Sequence, residues 1–176
     1  MTLGSRDQAP IMTWSGGWAS ALGIQLVIDG LTSFMLLTVN LVAFLVVVYS
    51  VSYMERFTAK WKYHTLFLLM LAGMNGVLIT GDVFNLFVFL EIASIASYAL
   101  VAFGTERQEL EAAFKYAVMG SIGSLFILLA VTILYSHTGT LNMADMAHRL
   151  QGPESAAAGT AALVLFLAGF GLKSAL

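Results

Sequence analysis

Gly81-Asp82-Val83-Phe84-Asn85-Leu86-Phe87-Val88-Phe89-Leu90-Glu91-Ile92 is the stretch whose reading decides the fold. It joins one apolar run, residues 63–80, to another, residues 83–103. Each run is close to the about 20 apolar residues that a helix needs to cross a hydrocarbon core. Gly81-Asp82 is too short to hold a loop. The spacing therefore predicts a tight helical hairpin, with Asp82 as N-cap of its second helix. The same stretch sets a glutamate, Glu91, near the middle of an apolar segment, where a charge is costly and rare.

Working outward, three further runs have spanning length. Residues 23–53 are longer than one crossing needs, so their start lies in the interface or the helix tilts. Residues 110–136 form the next, and residues 157–176 are still apolar at Leu176. These runs lack the period-two alternation of a transmembrane barrel, and no strands are expected. The fold class is all-α, a polytopic membrane protein with five transmembrane helices. Residues 1–22 read as an extracytoplasmic N-terminal segment and 23–176 as one membrane domain, with no internal repeat and no linker. Met1–Ser15 is polar, contains Asp7, and lacks the basic-then-apolar order of a signal peptide. The longest polar stretch, 137–155, holds an extramembrane Leu141–Met146 and a helix-breaking Gly152-Pro153.

Composition agrees. Of 176 residues, 59% are hydrophobic and 10% charged, whereas soluble domains carry about 45–50% and about 25%. Mean hydropathy is +0.87. A net charge of −2 argues against a nucleic-acid partner. Cysteine is absent, which removes disulfides, thiolate zinc sites, iron–sulfur clusters and cysteine nucleophiles from this chain. No GxGxxG, Walker, GxSxG or HExxH pattern occurs, so nucleotide, serine and zinc chemistry have no support.

Lys and Arg in short loops set orientation. The loop 54–62 holds Arg56, Lys60 and Lys62; two crossings later, 104–109 holds Arg107, with Lys115 soon after. The opposite side has Arg6 and Arg149. This excess places the 54–62 loop in the cytoplasm and the N-terminus outside.

Among intramembrane charges, Glu91 has Ser94 and Tyr98 on its own face at i+3 and i+7. It reads as a buried proton carrier or as the ion-pair partner of a basic group on a neighbouring helix, against the plainer reading of a carboxylate that knits helices together. Lys173, among Gly169, Gly171, Ser174 and Ala175, reads either as a desolvated proton donor or as a snorkelling lysine at a helix end. Lys115 follows Glu111 at i+4, which by itself reads as an interfacial pair. Asp29 reads as an acid of the first turn of the first helix. His137 and His148 lack metal-ligand spacing. The Gly120, Gly123 and Ser124 face, like Gly73 and Gly76, reads as a close-contact helix surface and not as an active site.

Taken together, the 81–92 stretch, Ser97-Tyr98-Ala99-Leu100-Val101, Leu110-Glu111-Ala112-Ala113-Phe114-Lys115-Tyr116, Leu134-Tyr135 with Thr138-Gly139-Thr140-Leu141-Asn142, and Gly169-Phe170-Gly171-Leu172-Lys173 carry a family likeness. Over residues 16–176 the chain resembles the proton-conducting antiporter-like subunits of respiratory complex I, Mrp-type antiporters and membrane-bound hydrogenases. The resemblance implies a fold of about 14 helices built as two inverted repeats. The five helices here would be its third to seventh, the last broken near Lys173. It implies that Glu91 pairs with Lys173, that making and breaking this pair moves protons, and that Lys115 joins the same polar chain as a secondary relay.

The motif after Lys173, the second half-channel and the lateral helix of that family have no counterpart here. The chain is thus expected to be one incomplete repeat, a fragment or a split subunit, and not to translocate protons unaided. The implied role is a non-redox subunit of a complex I-like, hydrogenase or Mrp complex, in a prokaryotic inner membrane. Its partners would be lipid, other membrane subunits, and protons or sodium, with no cofactor of its own. An anchoring subunit is the alternative; a quinone-site anchor has less support.

Overall fold

In a bilayer every backbone N–H and C=O must be satisfied within the protein, so long apolar runs become helices. In the computed structural model, which describes residues 10–17, 23–56 and 60–174, the order is β1 (Ile11–Trp14), β2 (Gln25–Ile28), α1 (Gly30–Tyr53), α2 (Lys60–Ile79), α3 (Val83–Val101), α4 (Arg107–Thr138), α5 (Met143–Arg149) and α6 (Ala156–Lys173). Helices α1, α2, α3, α4 and α6 are long and apolar enough to cross a membrane. The chain is a multi-pass membrane protein with an all-α membrane domain. Helix α4, at 32 residues, rises roughly 48 Å and overreaches the about 30 Å hydrocarbon core.

Aspartates start two of these helices. Asp82 has extended backbone and accepts the Asn85 N–H at 2.8 Å, which makes it the N-cap of α3. Asp29 accepts the Thr32 N–H at 2.7 Å, so it precedes α1 as its cap and does not lie inside the helix as expected. Each cap satisfies a donor that the first helical turn leaves unpaired. The bond from Thr32 also holds the Asp29 carboxyl below the usual carboxylate range. Helix α4 starts at Arg107, earlier than the apolar run suggests, because Glu106 as N-cap and Glu109 in the first turn form a capping box.

The expectation of no strands is corrected. β1 and β2 pair antiparallel, Ile11 opposite Ile28 and Trp14 opposite Gln25. Four-residue strands are too short for periodicity to detect, and Gln25-Leu26-Val27-Ile28 merged with the apolar run behind it. The start of the first helix moves accordingly from residue 23 to Gly30. Residues 1–9, with Arg6, and 18–22 of the expected N-terminal segment lie outside the described residues, as do 57–59 of the loop 54–62.

At the Asp82 end, backbone hydrogen bonds tie three segments together. The Gly81 N–H donates to Gln25 O at 2.8 Å, the Met143 N–H to Gly81 O at 3.0 Å and the Val83 N–H to Leu141 O at 2.9 Å. The Asn142 side-chain amide donates to Gln25 Oε1. Gln25, Asp82, Thr138, Thr140 and Asn142 are all buried there, and each finds a partner, as buried polar groups must. Gly152-Pro153 breaks the chain as expected, and Pro153 opens the short 3-10 turn Pro153–Ser155 that leads into α6.

Glycines set the interhelical distances. A Cβ on Gly73 would come 2.8 Å from Phe89 O, and one on Gly76 would strike the Phe89 ring, so α2 and α3 pack closely. Between α4 and α6, a Cβ on Gly169 would lie 2.8 Å from Gly123 O and 2.6 Å from Ile127 Cγ1. The apolar core, Val83, Ile127, Ala130, Val131, Leu134, Met146 and Ala162, lies along this seam and under the Asp82 end. Helix α1 is joined to α2 by a reciprocal amide pair, Asn40 to Asn75 at 3.0 and 3.2 Å.

Gly169 and Gly171 make a matched test of the seam. A Cβ on Gly171 meets nothing within 4 Å. Gly169→Ala is expected to destabilise the protein by about 1–3 kcal/mol through overpacking. Gly171→Ala should be neutral or stabilising by up to about 1 kcal/mol. Thermal unfolding of the detergent-solubilised variants reads the difference; equal melting temperatures would contradict the tight α4–α6 contact.

Candidate ion-pair site

The α4–α6 seam brings Lys173 to Glu91. Lys173 closes the last turn of α6, where Ser174 caps the helix and its N–H returns to Phe170 O at 2.9 Å. Gly123 on α4 lies against the α6 backbone, where a Cβ would come 3.0 Å from Gly169 O, and beside the lysine stem. Lys173 Nζ reaches past α4 to Glu91 Oε1 on α3, at 3.0 Å.

Hydroxyls complete the site. Lys173 Nζ donates also to Ser94 Oγ at 3.0 Å. Ser124 Oγ, from α4, donates to Glu91 Oε1 and lies 3.0 Å from the Gly120 carbonyl. The ammonium thus has two of its three hydrogens placed, and the carboxylate takes two donors on one oxygen. One turn beyond Ser94, the Tyr98 phenol seats its oxygen against Gly120, where a Cβ would collide with it. Tyr98 packs edge-on against Tyr116, ring centroids 4.7 Å apart, and Ser97 Oγ lies 3.4 Å from Tyr116 Oη. A band of hydroxyls therefore runs from Glu91 towards the Arg107 end of α4.

Lys115 is placed differently. Its Nζ bonds to Glu111 Oε1 at 2.6 Å, with the two side chains 71% and 60% exposed, against 11% for Lys173 and 27% for Glu91. Among the described residues no hydrogen bond or ion pair joins it to the central pair; Tyr116, its neighbour in sequence, is the nearest link to the hydroxyl band. His137 bonds to Ser155 at 2.9 Å. Arg149 holds Asp145 at 3.0 Å, which keeps that carboxyl below the usual range.

Two of the three expected site residues, Glu91 and Lys173, are thus brought together, and Lys115 stands apart with Glu111. Ser94 and Tyr98 were visible by helical spacing from Glu91. Ser124 was not: it reads as part of a small-residue packing face, and its bond to Glu91 spans 33 positions. The available signal was a hydroxyl in a small-residue stripe on a helix that has to face the charge. The geometry sets a carboxylate and an ammonium in contact, with hydroxyl partners shared between them, inside otherwise apolar helices.

Residues 80–176 match the family described as NADH:quinone oxidoreductase/Mrp antiporter, TM. Residues 18–67 match NADH-Ubiquinone oxidoreductase (complex I), chain 5 N-terminus. The chain is 41% identical, over 95% of its length, to NADH-quinone oxidoreductase subunit N of Desulforudis audaxviator, and 34% identical, over 92%, to a Na(+)/H(+) antiporter subunit of Alkalihalophilus pseudofirmus. It spans 34% and 33% of those two relatives. Among solved structures, it is similar to a chain of an archaeal membrane-bound sulfane sulfur reductase, with TM-score 0.83 and 39% identity, covering 92% of this chain and 33% of that one. The Mrp complex from Dietzia gives TM-score 0.80 and 29% identity, covering 94% of this chain and 31% of that one. The family match covers more than half of the chain and includes both Glu91 and Lys173; the chain belongs to the NADH:quinone oxidoreductase/Mrp antiporter transmembrane family.

Proposed function

We propose that this chain is part of an ion-translocating membrane subunit, moving protons or exchanging sodium for protons, within a complex I-like, hydrogenase-like or Mrp-type assembly. The observation that carries this reading is the Glu91–Lys173 pair, 3.0 Å apart and largely shielded within spanning helices. A charge at the bilayer centre costs roughly 2.5–3.5 kcal/mol on insertion scales, a cost that function explains better than packing does. Glu91 is the proton-holding carboxylate and Lys173 its partner and central relay. Lys115, with Glu111, is a secondary relay at the Arg107 end of the hydroxyl band. The driving reaction or gradient lies outside this stretch of chain, which holds no cysteine.

Membrane vesicles carrying the assembled complex test this. Glu91→Gln keeps the shape and removes the charge, and is expected to abolish proton pumping or sodium/proton exchange at normal complex abundance. If transport is unchanged the reading fails. If abundance falls while the rate per complex is kept, the chain is an anchoring subunit whose charges knit helices. Lys115→Met should slow transport without stopping it, the same assay giving the rate; a wild-type rate would remove Lys115 from the relay.

The charge excess of the loops supports an orientation with the 54–62 loop in the cytoplasm of a prokaryotic cell and the N-terminus outside. Single cysteines introduced into this cysteine-free chain report it. Gln108→Cys should react with a membrane-impermeant maleimide only from the cytoplasmic face, and Gln151→Cys only from the opposite face. The reverse pattern would invert the topology.

A further inference from the structure

Resting on the proton-handling reading of Glu91 and Lys173, we propose that Ser124 is a positioning residue whose hydroxyl follows Glu91 through both of its charge states. Ser124 is 5% exposed. Its oxygen reaches two acceptors, Glu91 Oε1 on α3 and the Gly120 carbonyl one turn back on α4, the latter at 3.0 Å. A serine hydroxyl has one hydrogen and two lone pairs, so it serves one acceptor at a time.

The two acceptors define two arrangements. With Glu91 ionised, the Ser124 hydrogen points to Oε1 beside the Lys173 ammonium. When Glu91 takes up a proton, its new O–H donates to Ser124 Oγ, and the serine hydrogen turns to the Gly120 carbonyl. Lys173, released from the carboxylate, keeps Ser94 Oγ as acceptor at 3.0 Å. Ser124 neither gains nor loses a proton between the two states; around it only hydrogen bonds exchange. The Ser124 hydroxyl and the Glu91 oxygen it faces keep each other as partners in both states, which matters in a shielded site because an orphaned group costs its full desolvation penalty.

The surroundings suit this role. Gly120 has no side chain, and the Tyr98 hydroxyl occupies the space a Cβ would fill, which fixes the backbone at the turn where the alternative acceptor sits. Gly123, the residue before Ser124, lets α6 approach to contact. Ser124 thus stands where α3, α4 and α6 meet, as the one hydroxyl among the described residues that bonds to the Glu91 carboxylate.

Transport per assembled complex in membrane vesicles, with complex abundance measured in parallel, tests the proposal. Ser124→Ala removes the hydroxyl with little change in volume and should lower transport about ten-fold, the loss of one hydrogen bond to a charged group. Ser124→Thr restores the hydroxyl and should recover most of the rate. Ser124→Cys, close in size but a weak donor, should match Ser124→Ala. A wild-type rate in Ser124→Ala, or a Ser124→Thr protein as slow as Ser124→Ala at equal abundance, overturns the proposal. Glu91→Gln in the same assay separates the two levels. If it abolishes transport while Ser124→Ala does not slow it, only the role of Ser124 falls; if Glu91→Gln transports normally, the reading of the pair falls with it.

Discussion

An ammonium held within a bilayer must find acceptors inside the protein, and the arrangement of three helices follows from meeting that need for Lys173. The lysine ends α6, while its carboxylate partner lies on α3, with α4 between them. The pair closes at 3.0 Å across a seam where Gly169 and Gly123 bring α6 and α4 within backbone contact. Glycine in a helix interior costs about 0.5–1 kcal/mol relative to alanine. Here it permits an approach that a Cβ on Gly169 would crowd, at 2.6 Å from Ile127 Cγ1. The ion pair and the small-residue seam therefore meet at one place, where α3, α4 and α6 come together.

The Asp82 end supplies a second constraint. Gly81 donates to Gln25 and accepts from Met143, so the turn between α2 and α3 is clamped between the hairpin and the segment that follows α4. Asp82 caps α3 from within that clamp. Because α3 starts there, the position of Glu91 along the helix bundle is tied to backbone hydrogen bonds made at the bundle's end. Its lateral position is set by the glycine contacts of α2 and α4. A mid-membrane charge needs both, since a shift of one turn, about 5.4 Å, would carry it out of reach of Lys173.

Much of this was legible in the chain. The Gly81-Asp82 hairpin, the cap at Asp82, the five spanning runs and the close-contact glycines on α2 and α4 all follow from local rules: helix length, capping chemistry and side-chain size. Glu91 and Lys173 stood out because charge in an apolar run is expensive. The β1–β2 hairpin did not stand out, since four residues give no usable periodicity and β2 runs straight into an apolar helix. Asp29 shows the same loss of resolution at a boundary: its type suggested a helix start, and only the bond to Thr32 placed it one residue outside the helix.

Sequence by itself determined the class of protein, the number of crossings and the charges that demand an explanation, because each depends on composition within a single segment. The tertiary structure decided which of those charges meet. Lys115 and Lys173 are both lysines on apolar helices, yet one pairs locally with Glu111 at the surface and the other pairs with Glu91 across 82 positions. It also turned Ser124 from a small packing residue into a hydrogen-bond donor to the buried carboxylate. The physical reason is that a helix's own sequence defines its faces, whereas the partner of a face depends on how closely two backbones approach, and that distance is set by residues on both helices at once.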